Sequence, residues 1–173
     1  GRRTRRANST DFASIHRMLI RVLAVGTRMP AWVDQAVSEY SARMPAEMRV
    51  EWREIKAETR TGAGSAASWM SREAARLRAA VPEGARCVAL DEQGVDLDTR
   101  GFAARMDAWR QEFRAVALVI GGPDGLDPVL KRDCAERLRL SSLTLAHPLV
   151  RIVLAEQIYR GWSLLSGHPY HRP

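Results

Sequence analysis

The stretch AVALVI, residues 115–120, is apolar at every position. A strand with one face in water alternates apolar and polar residues, so an unbroken apolar run of this length indicates a strand covered on both faces. Such a strand is typical of the centre of a parallel sheet with helices on each side. Because the other apolar runs alternate with segments of helical periodicity, the sequence predicts an α/β domain with a parallel sheet.

The remaining elements are predicted from the same two periodicities. Apolar residues recur at i, i+4, i+7 and i+11 from Met70 to Val81, which indicates an amphipathic helix. The polar, glycine-bearing segment KAETRTGAGS at 56–65 is expected to be a connecting loop. The predicted strands are 19–25, 48–55, 86–91, 115–120 and 143–145, and the other predicted helices are 30–44, 99–112, 128–138 and 148–165.

The last predicted helix is apolar on more than one side. Its sequence, PLVRIVLAEQIYRGWSLL, places leucine, isoleucine, valine and tryptophan on well over one stripe of the helix surface. A helix of this kind must be buried on more than one face. Since the domain is small, a second copy of the chain is the simplest way to bury the remaining apolar face of this helix. We therefore expect a homodimer.

The net charge of +7 is unevenly distributed along the chain. Residues 1–17 hold five arginines and one aspartate, a net +4, which leaves 7 − 4 = +3 for residues 18–173. We therefore divide the chain into a basic N-terminal extension, 1–17, expected to be disordered and dispensable, and one domain, 18–173. Two origins of the extension stand open: a vector-derived or upstream-translated segment, or a basic arm that binds nucleic acid.

Membrane and metal-dependent classes are disfavoured by the sequence. No apolar stretch reaches the roughly 18 residues that a membrane span requires. The two cysteines, Cys87 and Cys134, have no partners at metal-ligand spacing and form no disulfide framework. We expect a soluble, cytoplasmic protein with two reduced core thiols and no bound metal.

Three loops are candidates for a ligand site, because open α/β sheets bind ligands at the carboxyl ends of their strands. They read LDEQG (90–94), GGPDGL (121–126) and LSSLTLAHP (140–148). None is a Walker A loop or a GxGxxG dinucleotide motif, and this disfavours a glycine-rich loop that binds phosphate. They offer close backbone approach, main-chain donors and acceptors, and apolar side chains, and these features suit an adenosine moiety.

The segments VLAVGTRMPAWV, LDEQG, LVIGGPDGL, LSSLTLAHPLVRIVLAEQIYRGWS and HPYHR follow one another in this order. With them, the chain from Met18 to Arg172 resembles the small SPOUT-class methyltransferases that modify a pseudouridine in bacterial large-subunit ribosomal RNA. The resemblance implies a SPOUT-type parallel sheet flanked by helices, a C-terminal deep trefoil knot, a homodimer and S-adenosylmethionine (AdoMet) as methyl donor. It also implies the cofactor contacts Leu90, Gly121, Gly122, Leu140, Ser141, Ser142, Leu143, Thr144 and Leu145.

Methyl transfer to a uracil-type nitrogen needs orientation and at most a base, and it needs no metal. The resemblance places the last helix beside the substrate, which makes Arg160 a candidate contact to base or phosphate. The tail HPYHRP combines rings and a guanidinium that suit single-stranded RNA, and the alternative is a tag remnant or a packed terminus. The candidate catalytic residues are His171, Tyr170 and Arg160, and the candidate substrate-binding residues are His147, His168 and Arg172. For His147 alone, a structural hydrogen bond at a helix start is the stronger interpretation.

The resemblance implies an AdoMet-dependent methyltransferase acting on N3 of a pseudouridine in a 23S ribosomal RNA hairpin. The modest charge outside the extension favours a hairpin presented by the 70S ribosome or large subunit over naked RNA. The alternative is a non-catalytic ribosome-binding or RNA-binding module with the same α/β core, which need not bind AdoMet. A nucleotide-dependent oxidoreductase is disfavoured by the missing GxGxxG motif.

Overall fold

The computed structural model describes residues 17–172, so the expected extension lies outside the described residues except for Arg17. Within these residues, five strands and five α-helices alternate strictly and are followed by one short 3-10 helix. The strands are β1 (Met18–Val25), β2 (Met48–Ile55), β3 (Arg86–Asp96), β4 (Ala115–Ile120) and β5 (Glu136–Arg139). The α-helices are α1 (Ala31–Ala42), α2 (Ala66–Ala80), α3 (Thr99–Glu112), α4 (Pro128–Asp133) and α5 (His147–Ser166), and the 3-10 helix is Pro169–His171.

The strands form one parallel sheet in the order β2-β1-β4-β3-β5. The AVALVI strand, β4, lies at the centre of the sheet, and its residues from Val116 to Val119 are completely buried. The prediction of a central strand covered on both faces is therefore confirmed.

Alternate residues of the strands pack against helices on opposite faces of the sheet. On one face, Ile20 and Val22 of β1 join a core with residues of α3 and α5. On the other face, Leu23 and Val25 join residues of α2 and α4. Each buried leucine, isoleucine or valine of this kind contributes roughly 1.5–3 kcal/mol relative to exposure. The result is a three-layer domain whose strand ends are held in fixed positions.

Helix α5 is largely covered within the chain itself. It packs against α1 through Ala155, which contacts Val33 and Val37. Its other side packs against the sheet and α3 through Leu154 and Ile158. The apolar character of α5 on more than one side therefore has an intrachain explanation, and by itself it does not require a second copy of the chain.

Two predicted elements near residue 140 are wrong. The helix expected at 128–138 ends at Asp133, and the fifth strand is Glu136–Arg139 rather than 143–145. A charged strand is tolerated here because β5 is an edge strand. The carboxylate of Glu136 accepts hydrogen bonds from Trp109 at 2.8 Å and Arg86 at 2.9 Å, which satisfies its charge in a half-buried position.

Strand β3 extends beyond its predicted end at residue 91. Leu90 and Val95 both pair with Leu138 of β5, so residues 91–94 bulge out of the ladder between them. A Cβ on Gly94 would lie 2.6 Å from the carbonyl carbon of Leu138, which explains why this position lacks a side chain. The LDEQG loop is therefore a bulge within a strand.

The two cysteines, expected to be reduced core thiols, are in contact with each other. The Sγ atoms of Cys87 on β3 and Cys134, which follows α4, lie 3.2 Å apart as free thiols. Sequence separation hid this contact, because the two residues belong to different elements.

Among residues 17–172 no helix is both long enough and apolar enough to cross a bilayer.

Candidate active site

The principal cavity lies at the carboxyl ends of the strands, as expected for a parallel sheet. Its volume is about 790 Å³, within the range of small-molecule sites. The residues that follow β1, β2, β4 and β5 contribute to its wall, together with the bulge of β3. All three loops predicted from the sequence therefore meet at one place.

Seven of the nine predicted cofactor contacts line this cavity: Leu90, Gly121, Gly122, Leu140, Ser141, Leu143 and Leu145. Ser142 and Thr144 belong to the same loop but are not in the wall. A second cavity, of about 450 Å³, is lined mainly by apolar side chains of β5, α3 and α5. Leu90, Leu140, Ser141 and Leu145 line both cavities, so the two spaces adjoin at the predicted cofactor loop.

The loop of residues 121–126 is folded tightly on itself. Gly122 and Gly125 form an isolated bridge, and Gly125 has a φ of +83°, a conformation that favours glycine. A Cβ on Gly121 would lie 2.5 Å from the carbonyl carbon of Gly125. The loop therefore presents backbone groups to the cavity, which is what hydrogen bonding to the edge of a heterocycle requires.

His147 begins α5 and belongs to a buried hydrogen-bonded group in the cavity wall. Its Nε2 accepts a hydrogen bond of 2.9 Å from Nε of Arg151. Arg151, only 3% exposed, also donates to Glu54 at 2.7 Å and to the carbonyl of Gly26 at 2.8 Å. Burial lowers the pKa of His147, the positive charge of Arg151 lowers it further, and the carbonyl of Gly121 opposes this change.

These contacts favour a structural role for His147. A histidine that accepts from a permanently charged arginine is neutral, and its role here is to hold the start of α5 against the ends of β1 and β2. A direct contact with substrate remains a prediction.

Acidification is expected to destabilise the protein through His147. Because burial and Arg151 hold the pKa of this imidazole below its ordinary value, the folded protein binds fewer protons than the unfolded chain as pH falls through the usual histidine range. The contribution to stability is therefore present above that range and lost below it. The melting temperature should fall between about pH 7.5 and about pH 5.5, and the fall should be smaller in His147→Gln, whose oxygen accepts without titrating.

The control for this pH prediction is His168→Gln, which removes a histidine that follows α5 and whose ring centroid lies 5.4 Å from that of Trp162. In this variant the melting temperature should still fall on acidification as in the unsubstituted protein, because the contacts of His147 are kept. An equal change of slope in both variants would show that His147 is not the responsible group.

The C-terminal tail folds back onto α5 and meets Arg160. Helix α5 ends at Ser166, and the next residue, Gly167, turns the chain with a φ of +74°. The 3-10 helix then places Tyr170 against Tyr159, with ring centroids 4.5 Å apart. The hydroxyl of Tyr170 donates to Oε1 of Glu156 at 3.0 Å, and Arg160 donates to the same oxygen at 2.8 Å. The guanidinium of Arg160 also lies 5.0 Å above the Tyr170 ring.

The environment of Tyr170 defines what it can do chemically. Burial raises its pKa, and hydrogen bonding with Tyr40 and Glu156 raises it further. Tyr170 is therefore protonated at neutral pH and acts as a hydrogen-bond donor. His171 is placed nearby, with Nδ1 3.3 Å from the hydroxyl oxygen of Ser163.

A family model described as a predicted SPOUT methyltransferase matches residues 18–171. The chain belongs to the SPOUT methyltransferase family. The match spans nearly all of the domain that the sequence predicted and leaves out the N-terminal extension. The deep knot expected from the resemblance stays a prediction.

Curated relatives of this SPOUT methyltransferase carry the name ribosomal RNA large subunit methyltransferase H. The proteins of that name from Ralstonia pickettii (strain 12J) and Bordetella avium (strain 197N) are each 53% identical over 155 residues, which cover 90% of this chain and 99% of the relative. Among solved structures, a probable methylase family protein from Haemophilus influenzae Rd KW20 aligns with a TM-score of 0.55 at 10% identity, over 89% of this chain and 70% of that one. That likeness supports the fold.

Glu156, Tyr159, Arg160 and Tyr170 form a group of contacting side chains in this SPOUT methyltransferase, here called the tail cluster. Sequence reasoning missed its central residue, Glu156. Glu156, with a side chain 18% exposed, accepts hydrogen bonds from both Arg160 and Tyr170, and it is not among the candidate residues that the sequence predicts. The available signal was the spacing of Glu156, Tyr159 and Arg160 at i, i+3 and i+4, which places all three on one side of α5.

The tail cluster and the cavity are separate within one copy of this SPOUT methyltransferase. Neither Arg160 nor any residue from His168 to Arg172 is in the wall of either cavity described above. The predicted residues thus fall into two groups. One group surrounds the cavity, and the other covers the C-terminal half of α5.

Proposed function

We propose that this SPOUT methyltransferase transfers the methyl group of AdoMet to N3 of a pseudouridine in a 23S ribosomal RNA hairpin. The observation that carries the proposal is the convergence of the 90–94, 121–126 and 140–145 segments on one cavity of about 790 Å³. The names of the curated relatives support ribosomal RNA of the large subunit as substrate.

The residues around the cavity fit AdoMet. Backbone groups of residues 121–126 and 140–145 would bind the edge of the adenine ring, while Leu90 and Leu145 supply apolar contact to its faces. Ser141 adds a hydroxyl, although its oxygen already accepts from the backbone N–H of Leu143 at 2.9 Å. When bound, AdoMet supplies a methyl group on a positively charged sulfur.

The tail residues fit the substrate side of the reaction. N3 of the base must lose its proton as it forms the bond to the methyl carbon, while the bond from that carbon to sulfur breaks and the sulfur becomes neutral. A neutral His171 imidazole can accept the proton. Tyr170 and Arg160 supply donors for base or phosphate oxygens, which would have to compete with Glu156 for them.

The separation of tail and cavity supports a homodimer in which the tail of one copy completes the site of the other. Exposed apolar side chains are available for such an interface: Trp32 is 54% exposed and Leu149 is 43% exposed. They lie at the N-terminal ends of α1 and α5, two helices that pack against each other. We propose that these ends contribute to the interface.

A dimer is therefore expected at micromolar concentration. Leu149→Glu should shift the mass measured by sedimentation toward the monomer, because a charge replaces an exposed apolar contact. Val129→Glu is the matched control, since Val129 is similarly exposed, at 47%, but belongs to α4 on the opposite face of the sheet. A monomeric mass for the unsubstituted, folded protein would contradict the proposed interface.

The decisive experiment offers labelled AdoMet with naked 23S RNA, isolated large subunits or whole ribosomes, each lacking the modification. We expect transfer to ribosomes or large subunits and little transfer to naked RNA, because residues 18–173 carry only 7 − 4 = +3 of net charge. The second candidate function is a non-catalytic ribosome-binding module, and it would show ribosome binding without affinity for AdoMet. A cytoplasmic location follows from a ribosomal substrate and belongs to the same proposal.

A further inference from the structure

Arg60 lies in the 56–65 segment, which the sequence predicts to be an ordinary connecting loop. In the structure every N–H of its guanidinium has an acceptor. Nη1 donates to Glu73 at 2.6 Å and to the carbonyl of Glu58 at 2.8 Å, while Nη2 donates to Glu73 at 3.2 Å. Nε and Nη2 also donate to Oδ2 of Asp124, at 3.2 and 3.0 Å. One side chain therefore joins three separate segments of the chain.

Glu73 is the buried end of this connection. It lies on α2 and is only 2% exposed, and its carboxylate accepts hydrogen bonds from Arg60 and, at 2.9 Å, from the backbone N–H of Glu58. The hydrogen bond to Glu73 is the main reason that the pKa of Arg60 is raised. Glu73 is the buried partner of this ion pair, and removal of Arg60 would leave its carboxylate without a counter-charge.

Asp124 is the other end of the connection, and it belongs to the 121–126 loop of the cavity wall. It is the only charged side chain in a loop that otherwise consists of three glycines, a proline and a leucine. Glycine-rich backbone loses much entropy when it is ordered, and this loop has few side chains with which to pack. Glu73 also approaches the loop directly, since a Cβ on Gly122 would lie 3.5 Å from its Oε1.

We propose that Arg60 is a positioning residue for the methyl-donor loop: by linking buried Glu73 to Asp124, it holds the backbone of residues 121–126 in the conformation that binds AdoMet. This inference rests on the proposed function of the cavity. Arg60 is not in the cavity wall, so it acts on the ligand through Asp124 and the loop backbone.

The test is a double-mutant cycle with Arg60→Ala, Asp124→Ala and the double variant, with AdoMet affinity measured by calorimetry. Each single variant should bind AdoMet roughly tenfold more weakly or worse, because a charge-assisted bond that orders the loop is lost. The double variant should be no weaker than the worse single variant, since both substitutions break the same connection. In turnover assays KM for AdoMet should rise by a similar factor, while kcat at saturating AdoMet stays within about twofold.

Arg76→Ala is the matched control. Arg76 forms an ion pair with Glu58 and donates to the carbonyl of Lys56 at 2.8 Å, so it anchors the same segment to α2 without reaching Asp124. Its loss should lower the melting temperature without changing AdoMet affinity. If Arg60→Ala does not fold, Asp124→Asn gives the same test from a partly exposed position, because it removes the charge and keeps the side-chain shape.

Failure of this inference is distinguishable from failure of the proposed function. If the unsubstituted protein does not bind AdoMet, the proposed function is wrong and the positioning role with it. If the unsubstituted protein binds AdoMet and Arg60→Ala and Asp124→Asn bind it equally well, only the positioning role is overturned. Additive losses in the double-mutant cycle would likewise overturn it, because two independent contributions would then replace one connection.

Discussion

Gly121→Val is expected to abolish AdoMet binding, with a loss of affinity of about 100-fold or more. A Cβ at this position would lie 2.5 Å from the carbonyl carbon of Gly125, 2.7 Å from the nitrogen of Leu126 and 2.8 Å from the oxygen of Gly125. All three atoms are backbone atoms, which cannot rotate away as a side chain can. The 121–126 loop must therefore open, and its backbone donors and acceptors leave the positions that face the ligand.

The matched control for Gly121→Val is Gly62→Val. A Cβ on Gly62 meets no atom within 4 Å, and this glycine lies in the 56–65 segment outside the wall of the cavity. Its replacement should leave calorimetric affinity for AdoMet within about twofold, since nothing is displaced. Unchanged affinity in folded Gly121→Val would remove the loop from the cofactor site.

The centre of the fold was predictable because local pattern and global position agree there. The AVALVI strand is apolar on both sides, and only the centre of a helix-covered sheet buries a strand in this way. The edge strand β5 was not predictable from periodicity, because its charged residues read as helix surface. Their partners Arg86 and Trp109 are distant in sequence, 50 and 27 residues from Glu136.

In the candidate site, too, the features with a local sequence pattern were predictable and those that depend on long-range contacts were not. Its loops could be found because glycines and apolar residues directly after strands have local signatures, and the structure brings seven of the nine predicted contacts to one cavity. The link from Arg60 to Asp124 spans 64 residues and joins two loops with no shared pattern. Pairings of this kind depend on tertiary packing, so sequence periodicity carries no signal for them.

The contacts of the tail cluster bear on how Tyr170 and Arg160 would exchange one hydrogen-bond acceptor for another when substrate binds. In the structure Oε1 of Glu156 accepts hydrogen bonds from the hydroxyl of Tyr170 and from Nε of Arg160, the two side chains proposed to bind RNA. Hydrogen bonding to Glu156 raises the pKa of Arg160, so this side chain keeps its positive charge while it waits for substrate. An RNA phosphate can then replace the carboxylate as the acceptor without any change of protonation.

Removal of residues 168–173 is expected to lower methyl transfer to ribosomes by about 100-fold or more, the range in which loss of a positioned base and of substrate contacts combine. AdoMet affinity should stay within about twofold, because no residue from His168 to Arg172 lines either cavity. The truncation also uncovers Tyr159, which costs of order 1 kcal/mol of stability, so the melting temperature must be measured beside activity.

Single substitutions separate the roles within the tail. Tyr170→Phe keeps the ring against Tyr159 and Arg160 but loses the hydrogen bond to Glu156, so a loss of turnover would assign a function to the hydroxyl. If His171 accepts the N3 proton, His171→Ala should lose turnover most at low pH and less as pH rises, because hydroxide or ionisation of the substrate then replaces the base. If His171 only binds, KM for the ribosome should rise while kcat is kept. A truncated protein that methylates ribosomes at the intact rate would show that the contacts of Tyr170 with Glu156 and Tyr159 merely pack a terminus.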